Sequence, residues 1–466
     1  MAKIAHTIVK FVAFFSEINM LKRKFYDELY DWKMTKEKEC LFVTGARQIG
    51  KTYIIEQFGL ENYASYVYLN LFKHPEQRTI FEGSLEPNEI YKKLSLLLPD
   101  ITFIEKGTLI FIDEIQVCPK ARTALKFLAI DDRYDVIASG SLLGIHYNKL
   151  SDEEEIEKEI SIPVGYEREV EMYALDFEEF LWANGVSEEA ISLLKGYFNR
   201  HEKIPEEINE RYQKLLHEYL VVGGMPEVVK TFLATSNFQA VYAEQQKIFK
   251  AYEDDIQLYA KNTEKPKILA CYRSIPRQLA KEYTKFQYKT VEKHGSAKKY
   301  DNSLLWLENA GLIKLVYNVS LPEMPLKSYE QPENFKTYVT DIGMATALFG
   351  FETQAALARK ELNGHAKGGI YENLIFDMLY KHKIPLNYFK RSDSTQEIEF
   401  IYEKNSAVIP IEVKSKRGST TSLNEFISEF QPPYAFKLID GNAGKDGTKI
   451  TLPQFMAMFI GEEALL

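Results

Sequence analysis

Apolar positions follow two rhythms along the chain. Leu21, Phe25, Tyr26, Leu29 and Trp32 recur at helical spacing, which predicts an amphipathic helix over residues 21–33. Beyond residue 40 the rhythm becomes short, unbroken apolar runs: "CLFVTG" (40–45), "YVYLN" (66–70), "TLIFID" (108–113) and "DVIASG" (135–140), with helical segments between them. Runs that are apolar at every position predict strands covered on both faces, and hence a parallel sheet of α/β type.

An acidic break, "SDEEEIEKEI" (151–160), is followed by a strand-like "VEMYAL" and a helical "DFEEFLWANG". From 186 to 265 the spacing is helical, interrupted by "VVGGMPEVV". Residues 261–300 hold eleven Lys or Arg against three Glu, and a helical "NSLLWLENAGLIKLVYNV" leads out of them. A last α/β unit begins after "QPENF" (331–335).

Two of these elements carry chemistry. Gly45, Ala46, Arg47, Gln48, Ile49, Gly50, Lys51 and Thr52 fit G-x-x-x-x-G-K-[ST], after an apolar strand and before a helix. The glycines permit a tight loop whose N–H groups face phosphates, Lys51 brings charge to the β- and γ-phosphates, and Thr52 offers a hydroxyl to Mg²⁺. "LIFIDEIQ" supplies Asp113 to hold Mg²⁺ and Glu114 to activate a water, a pairing that favours ATP hydrolysis over transfer to a small molecule. Ser139 and Ser141 at the tip of "DVIASGS" are candidate γ-phosphate sensors, and Arg168 a candidate charge-stabilising arginine.

"GARQIGKT", "IFIDEIQ", "ASGSLLG", "LDFEEFLWA" and "VGGMPEVV" together resemble a prokaryotic family of AAA-type ATPases with an uncharacterised nuclease-like C-terminal domain. The resemblance runs from about Met20 to the C-terminus. It implies an N-terminal extension (1–19), an AAA-type P-loop core (20–185), a helical segment (186–265), a winged-helix-like module (266–330) and a restriction-endonuclease-like α/β domain (331–466). "MLKRKFYDELYDW" reads as a natural start, so Met20 is an alternative first residue.

In the basic middle, Lys281, Lys285, Lys289, Lys298 and Lys299, with Tyr283, Phe286 and Tyr288 interleaved, are candidate contacts to the phosphates of DNA or RNA. A protein-contact module is the alternative. Toward the C-terminus, "EIEFIYEK" and "AVIPIEVKS" read as a hairpin. Glu412 and Lys414 share one face of its second strand, with Glu399 on the first. Two carboxylates beside a lysine are expected to hold a hard cation and activate water at a phosphodiester. The set resembles the PD-(D/E)xK nuclease superfamily, with Glu372 matching its helical carboxylate. Glu399 stands where Asp is usual.

Bulk properties narrow the partners. The chain has 466 residues, enough for roughly three domains. The formal charge is -9, so a nucleic-acid surface must be local. Cys40, Cys118 and Cys271 are far apart and form no CxxC, which fits a reducing, cytoplasmic setting rather than a disulfide or zinc framework. The eight histidines, His74, His146, His217 and His294 among them, show no ligand spacing. "MAKIAHTIVKFVAFFSEIN" is broken by His6 and Lys10 and is too short to span a membrane. The reading is therefore a Mg²⁺-dependent AAA-type ATPase, with ATP and Mg²⁺ as cofactors and nucleic acid as the expected partner. A homo-oligomer is one assembly compatible with the sequence. The alternative is a nucleotide-dependent switch whose C-terminal domain binds a protein partner and cuts nothing.

Overall fold

The computed structural model describes residues 21–35, 39–142, 165–281, 285–391, 396–414 and 420–462. The expected extension (1–19), the acidic stretch 151–160, His146 and Tyr283 lie outside the described residues. The first part runs α1 (Phe25–Met34), β1 (Cys40–Thr44), α2 (Lys51–Asn62), β2 (Ser65–Asn70), α3 (Pro87–Leu97), β3 (Thr108–Asp113), α4 (Pro119–Asp131), β4 (Asp135–Ser139) and β5 (Glu167–Glu171). Its five strands are parallel, in the order β2-β3-β4-β1-β5. Every residue of β1, β3 and β4 is buried. Alternate side chains serve opposite faces: Leu41, Val43 and Phe111 join one core, while Phe42, Ile110 and Ile112 join the other. The edge strand β5, "EREVE", is charged and half-exposed, which blunts an otherwise open edge.

A helical array follows: α5 (Phe177–Ala183), α6 (Glu188–Arg200), α7 (Glu206–Val222), α8 (Pro226–Thr235), α9 (Phe238–Tyr259), α10 (Lys265–Leu279), α11 (Tyr288–Val291) and α12 (Ala297–Asn309). α5 opens on a capping box in which Asp176 accepts from the Glu179 N–H at 2.8 Å and Glu179 accepts from the Asp176 N–H at 3.0 Å.

The last part comprises β6 (Ile313–Val319), β7 (Glu330–Val339), α13 (Ile342–Ala347), α14 (Phe351–Ala358), α15 (His365–Lys381), β8 (Asn387–Lys390), β9 (Glu397–Lys404), β10 (Ala407–Lys414), α16 (Thr421–Phe430), β11 (Ala435–Ile439), β12 (Gly444–Asp446) and β13 (Lys449–Pro453). One eight-stranded sheet takes in all of its strands, in the order β12-β13-β11-β10-β9-β8-β6-β7. β6 and β7 thus belong to the C-terminal sheet, and the expected division at 330/331 falls at the start of β7. Tertiary pairing overrides the local pattern here: Asn318 and Val319 of β6 pair in parallel with Tyr388 and Phe389 of β8, about seventy residues further on. Among the described residues no helix is long and apolar enough to cross a membrane.

The parts are locked together around α15, where every residue from Gly369 to Leu379 is buried. Lys381 at its end has 1% of its side chain exposed. Its Nζ lies 2.8 Å from Asp377 Oδ1 and 3.4 Å from Asp341 Oδ2, and donates to Leu175 O and Tyr219 Oη, each at 3.0 Å. Asp341 also accepts from the Gly224 N–H at 2.7 Å. The chain meets itself backbone to backbone at this point. A Cβ on Gly224 would stand 1.9 Å from Leu175 O, and one on Gly343 would stand 2.2 Å from Val222 O. Gly224→Ala should therefore lower the melting temperature by at least about 5 °C in scanning calorimetry, because the displaced groups are backbone rather than flexible side chains.

Candidate functional site

The loop from Gly45 to Thr52 needs conformations that side chains resist. Gly45 has φ 146° and Gly50 φ 93°, and a Cβ on Gly45 would meet Met172 O at 2.4 Å. Ile49 is 2% exposed and fixes the loop from beneath. Arg23, itself buried, straps it: Nη1 donates to Ile49 O at 3.0 Å, Nη2 to Tyr173 O at 2.6 Å, and Nε to Glu179 Oε1 at 3.2 Å. Arg47 lines the cavity beside the loop and pairs with Asp255 of α9.

The loop borders a cavity of about 350 Å³ that is also lined by Asp113, Glu114, Ser139, Ser141, Tyr53 and Pro226. Lys51 Nζ donates to Gly45 O at 3.0 Å and Ala46 O at 2.8 Å. Burial lowers its pKa to about 8, against the pull of Glu114 and Asp113. Asp113 is gripped from all sides: Oδ2 accepts from Thr52 Oγ1 at 3.0 Å, Tyr68 Oη at 2.9 Å and Asn70 Nδ2 at 3.2 Å. Its Oδ1 accepts from the Glu114 N–H at 3.0 Å and from Ser139. A hydroxyl and a carboxylate side by side, at the mouth of a phosphate loop, fit a Mg²⁺ ion, which Thr52 and Asp113 would hold. Glu114 has φ 55°, a strained conformation for a non-glycine residue, and accepts a hydrogen bond from Gln116. Strand order brings this set together, because β4 with Ser139 separates the loop strand β1 from β3 with Asp113. Arg168 is exposed on β5 and does not line the cavity.

Tyr68, Asn70, Arg23 and Asp255 were not singled out from the sequence. Tyr68 and Asn70 had a visible signal, since alternation along "YVYLN" puts both on one face. Arg23 and Asp255 had none, because their partners lie 26 and 208 residues away.

The C-terminal residues also converge. Glu399 Oε2 accepts from the Val413 N–H at 3.1 Å, and Lys414 Nζ lies 3.3 Å from both Glu399 Oε1 and Glu412 Oε1. Glu372 accepts from Tyr338 and lies 2.6 Å from Lys336 Nζ. The expected cation site therefore holds lysine ammonium between its carboxylates. Among the described residues no group of three or more His, Cys, Asp or Glu side chains could hold a metal. With the Lys414 ammonium 3.3 Å from both Glu399 and Glu412, a divalent ion does not fit this arrangement. Lys336 was missed, although a lysine inside the apolar run "NFKTYV" was a visible signal.

In the middle segment Lys285, Lys289, Lys298 and Lys299 are exposed, and Lys299 pairs with Glu292. Lys281 is half-buried and donates to Gln278 and Thr290. Phe286 is buried against Phe335, and Tyr288 packs edge-on to both, so these rings fill a core rather than offer a stacking face.

A family model of the AAA domain matches residues 37–181. Two domains of unknown function match further on, DUF8612 over 213–355 and DUF4143 over 367–451. No curated protein matches the chain. Similar solved structures include the Walker-type ATPase PABY2304 of Pyrococcus abyssi, at 13% identity and TM-score 0.42, covering 71% of this chain and 96% of that one. The Orc1 protein of Aeropyrum pernix in complex with DNA is 12% identical, with TM-score 0.26, covering 72% and 92%. AMPPCP-bound DnaA from Aquifex aeolicus is 14% identical, with TM-score 0.25, covering 63% and 88%. These likenesses are too distant to carry any property of those proteins to this chain. The AAA match and the parallel sheet with its phosphate loop make the first part an AAA-type, ATPase-like domain.

Burial raises the Glu399 carboxyl from its ordinary 4.5 to about 7. Its contribution to stability is therefore present at low pH and lost as pH rises through about 7. Glu399→Gln, which cannot ionise, should gain melting temperature relative to wild type between about pH 5 and about pH 8, as followed by circular dichroism.

Proposed function

We propose that the chain is a Mg²⁺-dependent ATP hydrolase whose nucleotide cycle is coupled to nucleic-acid binding. The observation that carries the reading is the gathering of Lys51, Thr52, Asp113, Glu114 and Ser139 around one cavity. Mg²⁺, when bound, neutralises charge on the β- and γ-phosphates. The loop N–H groups and the N-terminus of α2 bind the phosphate chain. Lys51 leaves its loop carbonyls for the phosphates. Glu114 takes the proton of the attacking water, and Ser139 positions Asp113. Arg47, through Asp255, ties the loop to α9, so a change at the phosphates reaches the helical array.

Exposed Lys285, Lys289 and Lys298 support the nucleic-acid half, as phosphate contacts without base readout. The lysine-filled carboxylate cluster favours a second reading for the C-terminal domain, as a binding module that cuts nothing in a nucleotide-dependent switch.

Lys51→Ala should abolish phosphate release from ATP while preserving the fold, and Glu114→Gln should still bind ATP yet turn over about 10²-fold or more slowly. Phosphate-release kinetics beside calorimetric ATP titration separates the two, and unchanged turnover in Lys51→Ala would overturn the reading. Changing Lys285, Lys289 and Lys298 to Glu should weaken DNA or RNA binding and flatten its dependence on salt, as read by fluorescence anisotropy.

A further inference from the structure

Lys336 is the most unusual residue of the C-terminal sheet. It lies on β7 with 1% of its side chain exposed, and its Nζ is 2.6 Å from Glu372 Oε1 and 2.7 Å from Glu397 Oε1. The ring of Tyr388 covers it, 4.8 Å from Nζ to the centroid. The same Glu372 oxygen accepts from Tyr338. Glu397 is in turn paired with Lys390 at 2.8 Å. Further across the sheet, on β9 and β10, Lys414 stands between Glu399 and Glu412.

A buried carboxylate without a counter-charge costs several kcal/mol, so it either takes up a proton, as burial favours at Glu399, or is paired with a cation. Two sources of charge are conceivable, a divalent ion from solution or ammonium groups from the chain. The chain supplies its own. Burial disfavours the charged form of Lys336, yet Glu372 and Glu397 outweigh it and hold the lysine above its ordinary pKa. Glu397 is correspondingly held down at about 2 by Lys336 and Lys390, against its burial. Lys336 cannot leave easily. Its backbone pairs with Val316 of β6 on one side and bridges Lys285 on the other, so its Cα is fixed on both flanks. An incoming ion would have to displace an ammonium that is buried and paired with two carboxylates.

We propose that Lys336 is a built-in cation that fills the place of a divalent ion in the carboxylate cluster, so that the C-terminal domain takes up no metal there and performs no metal-assisted phosphodiester cleavage. This rests on the second reading of the C-terminal domain and is independent of ATP hydrolysis. Removing the ammonium should unmask a site for a hard divalent ion, because Glu372 and Glu397 would then lose the cation they share, leaving two carboxylates with less positive charge than they are built around.

The test is Mn²⁺ binding to the full chain, followed by loss of the free-ion signal in electron paramagnetic resonance. It is run without nucleotide and in an Asp113→Asn background, which silences the phosphate loop, so failure of the ATPase reading would leave the result intact. With Lys336 present, Mn²⁺ uptake should be unchanged by Glu372→Gln or Glu412→Gln. Lys336→Ala should bind Mn²⁺ about tenfold or more tightly than its parent, and Glu372→Gln should abolish the gain. Uptake in the Lys336-containing protein that either Gln variant removes would overturn the proposal. So would a Lys336→Ala protein with native circular dichroism and no gain. If Lys336→Ala fails to fold, the two Gln variants decide the matter alone.

Discussion

The ammonium of Lys381 is buried among groups from three parts of the chain. Two aspartates, a tyrosine hydroxyl and a main-chain carbonyl surround it, drawn from α15, the turn before α13, α7 and the segment before α5. A charge placed so deep is tolerated only if all its partners stay in place, since removing one leaves the others buried and unsatisfied. The constraint reaches further. Asp341 is held by Lys381 and also accepts from Gly224, and the glycine pair of "VGGMPEVV" approaches backbone too closely for any side chain, Gly223 at Gly343 and Gly224 at Leu175. One buried cation therefore fixes the mutual position of the phosphate-loop domain, the helical array and the C-terminal sheet.

Smaller interactions carry that rigidity to the phosphate loop. Arg23 ties Ile49 to Glu179, whose capping-box partner Asp176 faces Lys24 at 2.7 Å and His382, just past α15, at 3.6 Å. Arg47 ties the same loop to α9 through Asp255. The loop is thus held from below by residues that lead to the C-terminal domain and from the side by the helical array. A phosphate chain competing for the loop's groups would perturb both. The electrostatics suit such a change: burial holds Lys51 at about 8 while it rests on loop carbonyls, and an anion arriving beside it would raise its pKa again.

The phosphate site was legible because its chemistry is local. Eight consecutive residues make the loop, and two more end a strand whose apolar run announces its burial. Ser139 was visible for the same reason. The straps were hidden: nothing near Arg23 or Asp255 reveals a partner that folding brings from elsewhere. The C-terminal cluster was half legible. Alternation along "IEVKS" put Glu412 and Lys414 on one face, and Glu399 does arrive beside Lys414, while Glu372 pairs instead with Lys336. Counting carboxylates, however, left out Lys336, whose strand was assigned by position to the start of a new unit. The boundary of the middle module was obscured for a related reason, since β6 finds its partner β8 only through long-range pairing.

The central claim is that nucleotide binds the loop and that its presence reaches the rest of the molecule through these ties. Hydrogen–deuterium exchange of the wild-type chain, with and without Mg²⁺ and a non-hydrolysable ATP analogue, tests it most directly. The account predicts protection across residues 45–52, together with altered exchange in α9 around Asp255 and in the segment 341–345. Unchanged exchange at 45–52 under saturating analogue would contradict it.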